Sequence, residues 1–314
     1  MGKRRIRVGI LDVESGHLHG EWLAGRLNGR PDGITCELRA FDPRPMRAGR
    51  TSGGREIPIR EFFSEPIYDA LMAAEIDAGL HRMKDLPAPL PAGVQIAAVT
   101  ERKTPLDVLV TADGSILDEL PEGARIGVSS RRREAQLARY RPDLDLSFVV
   151  GSLPERLKLL EEGRFDGLVV AAAGIEWRGW QDRVAEVFTA SVCLPAVGQA
   201  SLGLLVRESD EETAADLRFL NDSLSRTEIE AERAYYEGLG AWEGSPVGGL
   251  ARVKGDIVRI DGCVCSLDGR EILRDWAEGF PDDPLRTGER LARKLLEQGA
   301  REMLRRARVE AGLG

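Results

Sequence analysis

The sequence predicts an α/β protein of two doubly wound lobes followed by a small α+β domain. Three observations lead there. Short apolar strands alternate with helical patterns from residue 5 to residue 172, which is the signature of mostly parallel sheets. The alternation restarts near residue 106, so there are two such blocks. From residue 215 the pattern gives way to a charged helix, a Gly-rich stretch and paired strands.

In order, Arg5-Ile6-Arg7-Val8-Gly9-Ile10-Leu11 alternates as a strand does, and residues 20–28 carry Trp22, Leu23 and Leu27 on one helical face. Residues 36–41 read as a second strand. Residues 42–60, rich in Pro, Gly and Arg, read as a mobile loop. A helix over 63–74 leads into a strand entering His81, and 94–99 is another strand. The second block runs through strands at 108–110, 125–128, 146–150 and 168–172, with helices at 131–139 and near 153–162. Residues 202–207 form a strand after the second block. Past it, a helix at 228–236 precedes two strands, 250–260 and 261–267, joined at Ile260-Asp261-Gly262, and one long amphipathic helix over 285–307.

Composition narrows the function. The chain has 314 residues, 42% hydrophobic and 31% charged, enough for real cores beneath a solvated surface. A net charge of −8 gives a nucleic-acid partner no global support, yet leaves room for a local basic pocket. No stretch approaches the roughly 18 apolar residues of a membrane span. Four cysteines without a CxxC pair fit a reducing compartment, so cytoplasmic residence is expected; separately, a monomer is expected. Gly53-Gly54 lacks the Lys-Ser/Thr of a phosphate loop.

Four segments carry the chemistry: His81-Arg82-Met83-Lys84-Asp85-Leu86-Pro87, Gly127 to Leu137, Leu194-Pro195-Ala196-Val197-Gly198-Gln199, and Glu232-Arg233-Ala234 followed by Ser245-Pro246-Val247-Gly248. In order and spacing they resemble the hydroxymethylbilane synthase (porphobilinogen deaminase) family, and the resemblance covers nearly the whole chain. It implies two periplasmic-binding-protein-like lobes, the first completed by a later strand, and a third domain carrying a cofactor loop, so the expected domains are 1–101 with 201–217, then 106–195, then 220–314. It also implies a small pyrrole substrate with carboxylates, bound between the first two lobes, with no nucleic-acid or membrane partner.

Asp85 ends a strand at a Leu-Pro turn. Read locally, it caps that turn; by the resemblance, it is the carboxylate that steadies the azafulvenium cation left when porphobilinogen loses ammonia. Lys84 would face substrate carboxylates. Ser129, Ser130, Arg132 and Arg133 sit at a strand-to-helix junction, where hydroxyls, guanidiniums and free N–H groups converge on an anion. Arg156 is expected to hold a carboxylate as well, and Gln199, with Arg60 and Phe63 on the mobile loop, completes the expected substrate-binding set. His17 and His19 form a His-x-His pair near Asp12 and Glu14. A pocket role as acid, base or carboxylate partner is expected for His17, and no metal.

The departures are as telling. The family's dipyrromethane-bearing cysteine falls at Glu243, in Ala241-Trp242-Glu243-Gly244. Val150-Gly151-Ser152 replaces an Arg-Gly-Asn stretch, Arg131 replaces a leucine, and the first-strand motif is lost. Glu243 could meet the cation or sit as a solvated loop residue, and Trp242 could stack on a pyrrole or pack in the third domain. Cys263 and Cys265, alternating on a strand, fit a sheet better than a cofactor loop. The expectation is therefore a divergent enzyme that deaminates porphobilinogen, or a related pyrrole, without an attached dipyrromethane cofactor and gives a mono- or dipyrrole. A non-catalytic pyrrole-binding protein and an ordinary hydroxymethylbilane synthase are the alternatives.

Overall fold

A computed structural model describes residues 4–43, the backbone of 47–50 and 56–59, and residues 65–313. The first half contains β1 (Arg5–Leu11), α1 (Glu14–Asn28), β2 (Thr35–Phe41), β3 (Arg47–Arg50), β4 (Glu56–Ile59), α2 (Glu65–Met72), β5 (Ala78–Arg82), β6 (Val94–Val99), β7 (Asp107–Thr111), β8 (Arg125–Val128), α3 (Arg131–Tyr140) and β9 (Asp145–Phe148). Next come α4 (Leu153–Glu161), β10 (Gly167–Ala171), α5 (Ala172–Glu176), β11 (Glu186–Val187), β12 (Leu202–Arg207), α6 (Glu211–Leu217) and α7 (Ser223–Gly238). The chain closes with β13 (Val247–Lys254), β14 (Ile257–Cys265), β15 (Ile272–Gly279), α8 (Pro284–Glu297) and α9 (Ala300–Glu310).

Two compact units emerge. The first comprises 1–46, 60–102 and 201–226; the second comprises 47–59, 103–200 and 227–314. The first holds a mixed sheet of order β2-β1-β5-β12-β6. β1 runs parallel to β2 and β5, whereas β12 is antiparallel to both its neighbours. The strand expected to return at 202–207 does so, and its residues are almost wholly buried. Helices α1, α2 and α6 pack on this sheet.

The second unit holds two sheets. One has the order β11-β7-β10-β8-β9, with β8, β9 and β10 parallel and β7 antiparallel to β10. The other is the antiparallel sheet β13-β14-β15, backed by α7, α8 and α9 over a core that includes Tyr235, Ile260, Leu291 and Leu304. Ala135, Leu194, Leu250, Cys263 and Cys265 form the apolar seam where this sheet meets α3. The Gln136 amide stitches the same seam: its nitrogen donates to the Leu194 carbonyl at 3.0 Å, and its oxygen accepts from Leu194 N at 2.8 Å and from Arg274 at 3.1 Å.

Several expectations fail for local reasons. The first helix, expected over 20–28, begins at Glu14, so His17 and His19 lie inside α1. Residues 47–50 and 56–59 pair as an antiparallel ribbon within the segment read as a loop. Asp261-Gly262 is not a turn but the middle of β14, facing Trp276 and Asp275 on β15. Gly262 is required there by packing, because a Cβ would fall 2.7 Å from Tyr235 Cζ. The true hairpin turn is at Gly255, in a left-handed conformation (φ 59°). The final helix is two helices, broken at Gly299 with φ 105°. Among the described residues no helix is long and apolar enough to cross a membrane.

Candidate functional site

The carboxyl ends of parallel strands gather functional groups in each unit. In the first unit, β5 runs out through a single 3-10 turn, Met83–Asp85. Met83 N donates to Ser201 O at 2.9 Å, and Leu86 N to Met83 O at 3.3 Å, which pins the turn to the start of β12. The Asp85 side chain is 7% exposed and is ion-paired with Arg82, three residues earlier. Lys84 lies on the same turn, half-buried. His81, one residue before Arg82, is buried; loss of hydration pushes its pKa down to about 4 despite the nearby charge of Asp85.

β1 is parallel to β5, so the residues that follow it leave the sheet at the same edge. There His17 Nε2 meets Asp12 Oδ1 at 2.6 Å, both half-exposed. His17 is in the first turn of α1. Two residues on, His19 is buried; residues so spaced do not share a helix face.

In the second unit, β8 ends at Val128 and delivers Ser129 and Ser130 to the start of α3. Ser130 is the N-cap residue, yet its hydroxyl makes no cap hydrogen bond. Ser129 Oγ accepts from Arg133 Nη1 at 3.1 Å and from Arg156 Nη1 at 2.9 Å. With both lone pairs so used, the hydroxyl proton is the part left to offer an anion. Arg156 comes from α4, which is capped by Ser152 and Glu155 in a reciprocal box.

Behind these groups lies a buried ion cluster that sequence reading missed. Asp107 opens β7, and because β7 is antiparallel to β10 it sits at the edge where β8 and β10 end. It is fully buried and accepts from Arg132 Nη2 at 2.8 Å, Arg133 Nη2 at 2.7 Å and Gln199 Nε2 at 2.9 Å. Burial alone would raise its pKa, but the two guanidiniums outweigh it and hold the carboxyl well below the usual range. The signal was an aspartate at the head of an otherwise apolar strand.

This cluster engages three of the expected site residues, Arg132, Arg133 and Gln199. Arg132 is buried and also donates to the Leu194 carbonyl at 2.5 Å, so its charge is committed inside the protein. Gln199 is 1% exposed and ties Asp107 to the Pro105 carbonyl at 2.6 Å. Both are bonded within the framework. Glu232, from the fourth motif, is equally structural: it accepts from Gly198 N at 2.7 Å and Ala251 N at 2.8 Å.

Glu243 is exposed on the loop between α7 and β13. Next to it Gly244 is left-handed (φ 80°), and a Cβ there would lie 3.3 Å from Arg131 Nη1. The loop thus lies beside the first turn of α3. Tyr236 OH is bound to the Trp242 carbonyl and to Ser245 Oγ (3.2 Å), and burial pushes its phenol up to about 12. Trp242 packs against Leu267, Ala307 and Ala311, so it serves third-sheet packing. Arg60 and Phe63 lie outside the described residues.

A family model described as porphobilinogen deaminase, dipyrromethane cofactor binding domain, matches residues 52–215. The porphobilinogen deaminase of Pelotomaculum thermopropionicum is 40% identical over 311 residues, covering 98% of each chain. That of Geobacillus kaustophilus is 40% identical, covering 99% of this chain and 98% of its own. That of Syntrophus aciditrophicus is 41% identical, covering 90% and 92%. Among solved structures, the methionine binding protein MetQ superposes at a TM-score of 0.43 and 14% identity, over 77% of this chain and 97% of its own.

Proposed function

This chain belongs to the porphobilinogen deaminase family, and we propose that it works as an ordinary member, deaminating porphobilinogen and joining the pyrroles into a linear hydroxymethylbilane for tetrapyrrole synthesis. The observation that carries this reading is identity of about 40% spread over 98% of both chains, not confined to one lobe. The same observation corrects the expectation of a divergent enzyme releasing a mono- or dipyrrole. Relatives matching end to end all bear the name porphobilinogen deaminase, and lost cationic grips at a few positions do not outweigh that.

The residues divide the work by charge. Loss of ammonia from the aminomethyl group leaves a cation on the pyrrole, and Asp85, a fixed and largely desolvated carboxylate, steadies it. The acetate and propionate are held by the Ser129 and Ser130 hydroxyls, the first N–H groups of α3, Arg133 and Arg156, with Lys84 serving the same end in the first unit. Arg132, Asp107 and Gln199 position Arg133 and Ser129. Glu243 offers a second carboxylate beside the start of α3, and His17, oriented by Asp12, a further polar contact.

The family model is named for a dipyrromethane cofactor, which the resemblance would hold through a thioether. The thiols present do not fit that bond. Cys193, Cys263 and Cys265 are buried, and burial pushes the Cys193 thiol up to about 12. Cys36 lies on β2 with its thiol pushed to about 11 by burial, and the loop 240–246 has no cysteine. No step of the reaction is therefore routed through such a group.

The test is incubation of the purified chain with porphobilinogen, measuring ammonia released and uroporphyrin formed after oxidation. Both should appear, and Asp85→Asn should lose about 100-fold or more of the ammonia release. Ammonia without uroporphyrin, or neither, overturns the function; an unimpaired Asp85→Asn overturns only the role of Asp85.

A further inference from the structure

The carboxylate assigned to the cation is already occupied. Arg82 Nε donates to Asp85 Oδ2, and of the two partners the guanidinium is the more open, with side-chain exposures of 33% against 7%. The backbone at both ends is fixed. Arg82 is the last residue of β5, paired with Leu202 of β12, and Asp85 closes the turn whose Met83 N is bound to Ser201 O. With both backbones held, the pair opens by movement of side chains, and Arg82 is the longer and the more exposed of the two. The neighbouring imidazole of His81 is kept neutral by burial, so it does not replace that positive charge at neutral pH.

We propose that Arg82 is a specificity-determining residue, a resident cation that only a ligand carrying its own positive charge can displace from Asp85. This rests on the role given to Asp85 above. A ligand that is neutral at this end would leave a desolvated carboxylate with no counter-charge if it pushed Arg82 aside, which is costly. An aminomethyl group, or the cation left when ammonia departs, exchanges one ion pair for another. The pair therefore filters for pyrroles bearing a charged leaving group.

The test removes the resident cation and supplies a soluble one. In Arg82→Ala the KM for porphobilinogen should fall about threefold to tenfold, the change lying in KM more than in kcat. Millimolar guanidinium chloride, against sodium chloride at equal ionic strength, should raise the KM of this variant competitively and leave the wild type unmoved. Arg82→Lys should restore the wild-type KM and its insensitivity. Arg82→Gln repeats the measurement with a longer polar side chain if the alanine variant folds poorly, as judged by circular dichroism. A KM that stays or rises in the variants with no guanidinium inhibition overturns the proposal, as does guanidinium restoring a lost kcat. If Asp85→Asn is inactive while the Arg82 variants show no such inhibition, the filter alone fails. If Asp85→Asn retains full ammonia release, the role of Asp85 and the filter fail together.

Discussion

Replacing Asp107 by alanine tests whether the buried ion cluster is the keystone of the second unit. The carboxylate is fully buried and accepts three hydrogen bonds of 2.7–2.9 Å, two of them from guanidiniums whose side chains are 3% and 6% exposed. The substitution leaves two positive charges in the interior with no counter-ion. Removing one partner of a buried pair costs about 3–5 kcal/mol. A loss near 4 kcal/mol lowers the folded-to-unfolded ratio about a thousandfold and is a large share of a typical 5–15 kcal/mol of stability. With a urea slope of about 2 kcal/mol per molar, the midpoint should fall by about 2 M at constant slope. Tryptophan fluorescence reports this unit well, since Trp177, Trp180, Trp242 and Trp276 all lie in it. Combining Asp107→Ala with Arg132→Met should recover part of the loss, because fewer charges are then stranded. A shift below about 0.5 M, or strict additivity of the two substitutions, would refute the reasoning. The pH dependence has a definite sign. The folded carboxyl is depressed, so its contribution is present above the unfolded value of about 3.9 and is lost as pH falls below it toward the folded value. Asp107→Asn should flatten that acid limb.

Other substitutions probe separate links. His81 is buried with a pKa lowered to about 4, so the folded state favours its neutral form. Stability should decline by about 3 kcal/mol as pH falls from about 6.5 to 4, and His81→Gln should remove that slope in urea titrations. Gly262→Ala places a Cβ 2.7 Å from Tyr235 Cζ and 2.8 Å from Leu291 Cδ2, and should cost about 1–3 kcal/mol by calorimetry. Ser129→Ala removes the hydroxyl between Arg133 and Arg156 and should raise the KM for porphobilinogen about tenfold with a smaller effect on kcat, whereas an unchanged KM would detach Ser129 from the carboxylate site.

Much of this was legible in the sequence because strand alternation and motif spacing are local. Ser129 and Ser130 at a helix start followed from such signals, and Asp85 falls on the single turn just past the strand it was read to end, whereas the return of 202–207 to the first sheet rested on the family resemblance. What was hidden depends on partners far along the chain. Arg132 and Gln199 were read as ligand contacts because nothing near them in sequence announces Asp107, 25 and 92 residues away. Asp261-Gly262 has the composition of a turn, and only the Tyr235 ring explains why glycine is needed in a strand there. The Arg82–Asp85 ion pair was missed although the spacing is short, because a basic residue three positions before an acid is usually a solvated pair. A glycine at 299 inside an amphipathic pattern was read through, when its left-handed backbone ends the helix.

The route of the chain through the first sheet has a consequence for its birth. β12 lies between β5 and β6, yet it is made about 100 residues after β6. On a ribosome elongating at roughly 5–20 residues per second, the amino-terminal strands wait for about 5–20 s with a central place in their sheet vacant. During that interval the facing edges of β5 and β6 have no native partner. The second unit's α/β sheet is fully translated before the first unit can be completed. A nascent chain stalled near residue 195 should therefore hold that sheet protected from protease while the earlier segment stays cleavable and engages chaperones. Release past residue 207 should close the gap.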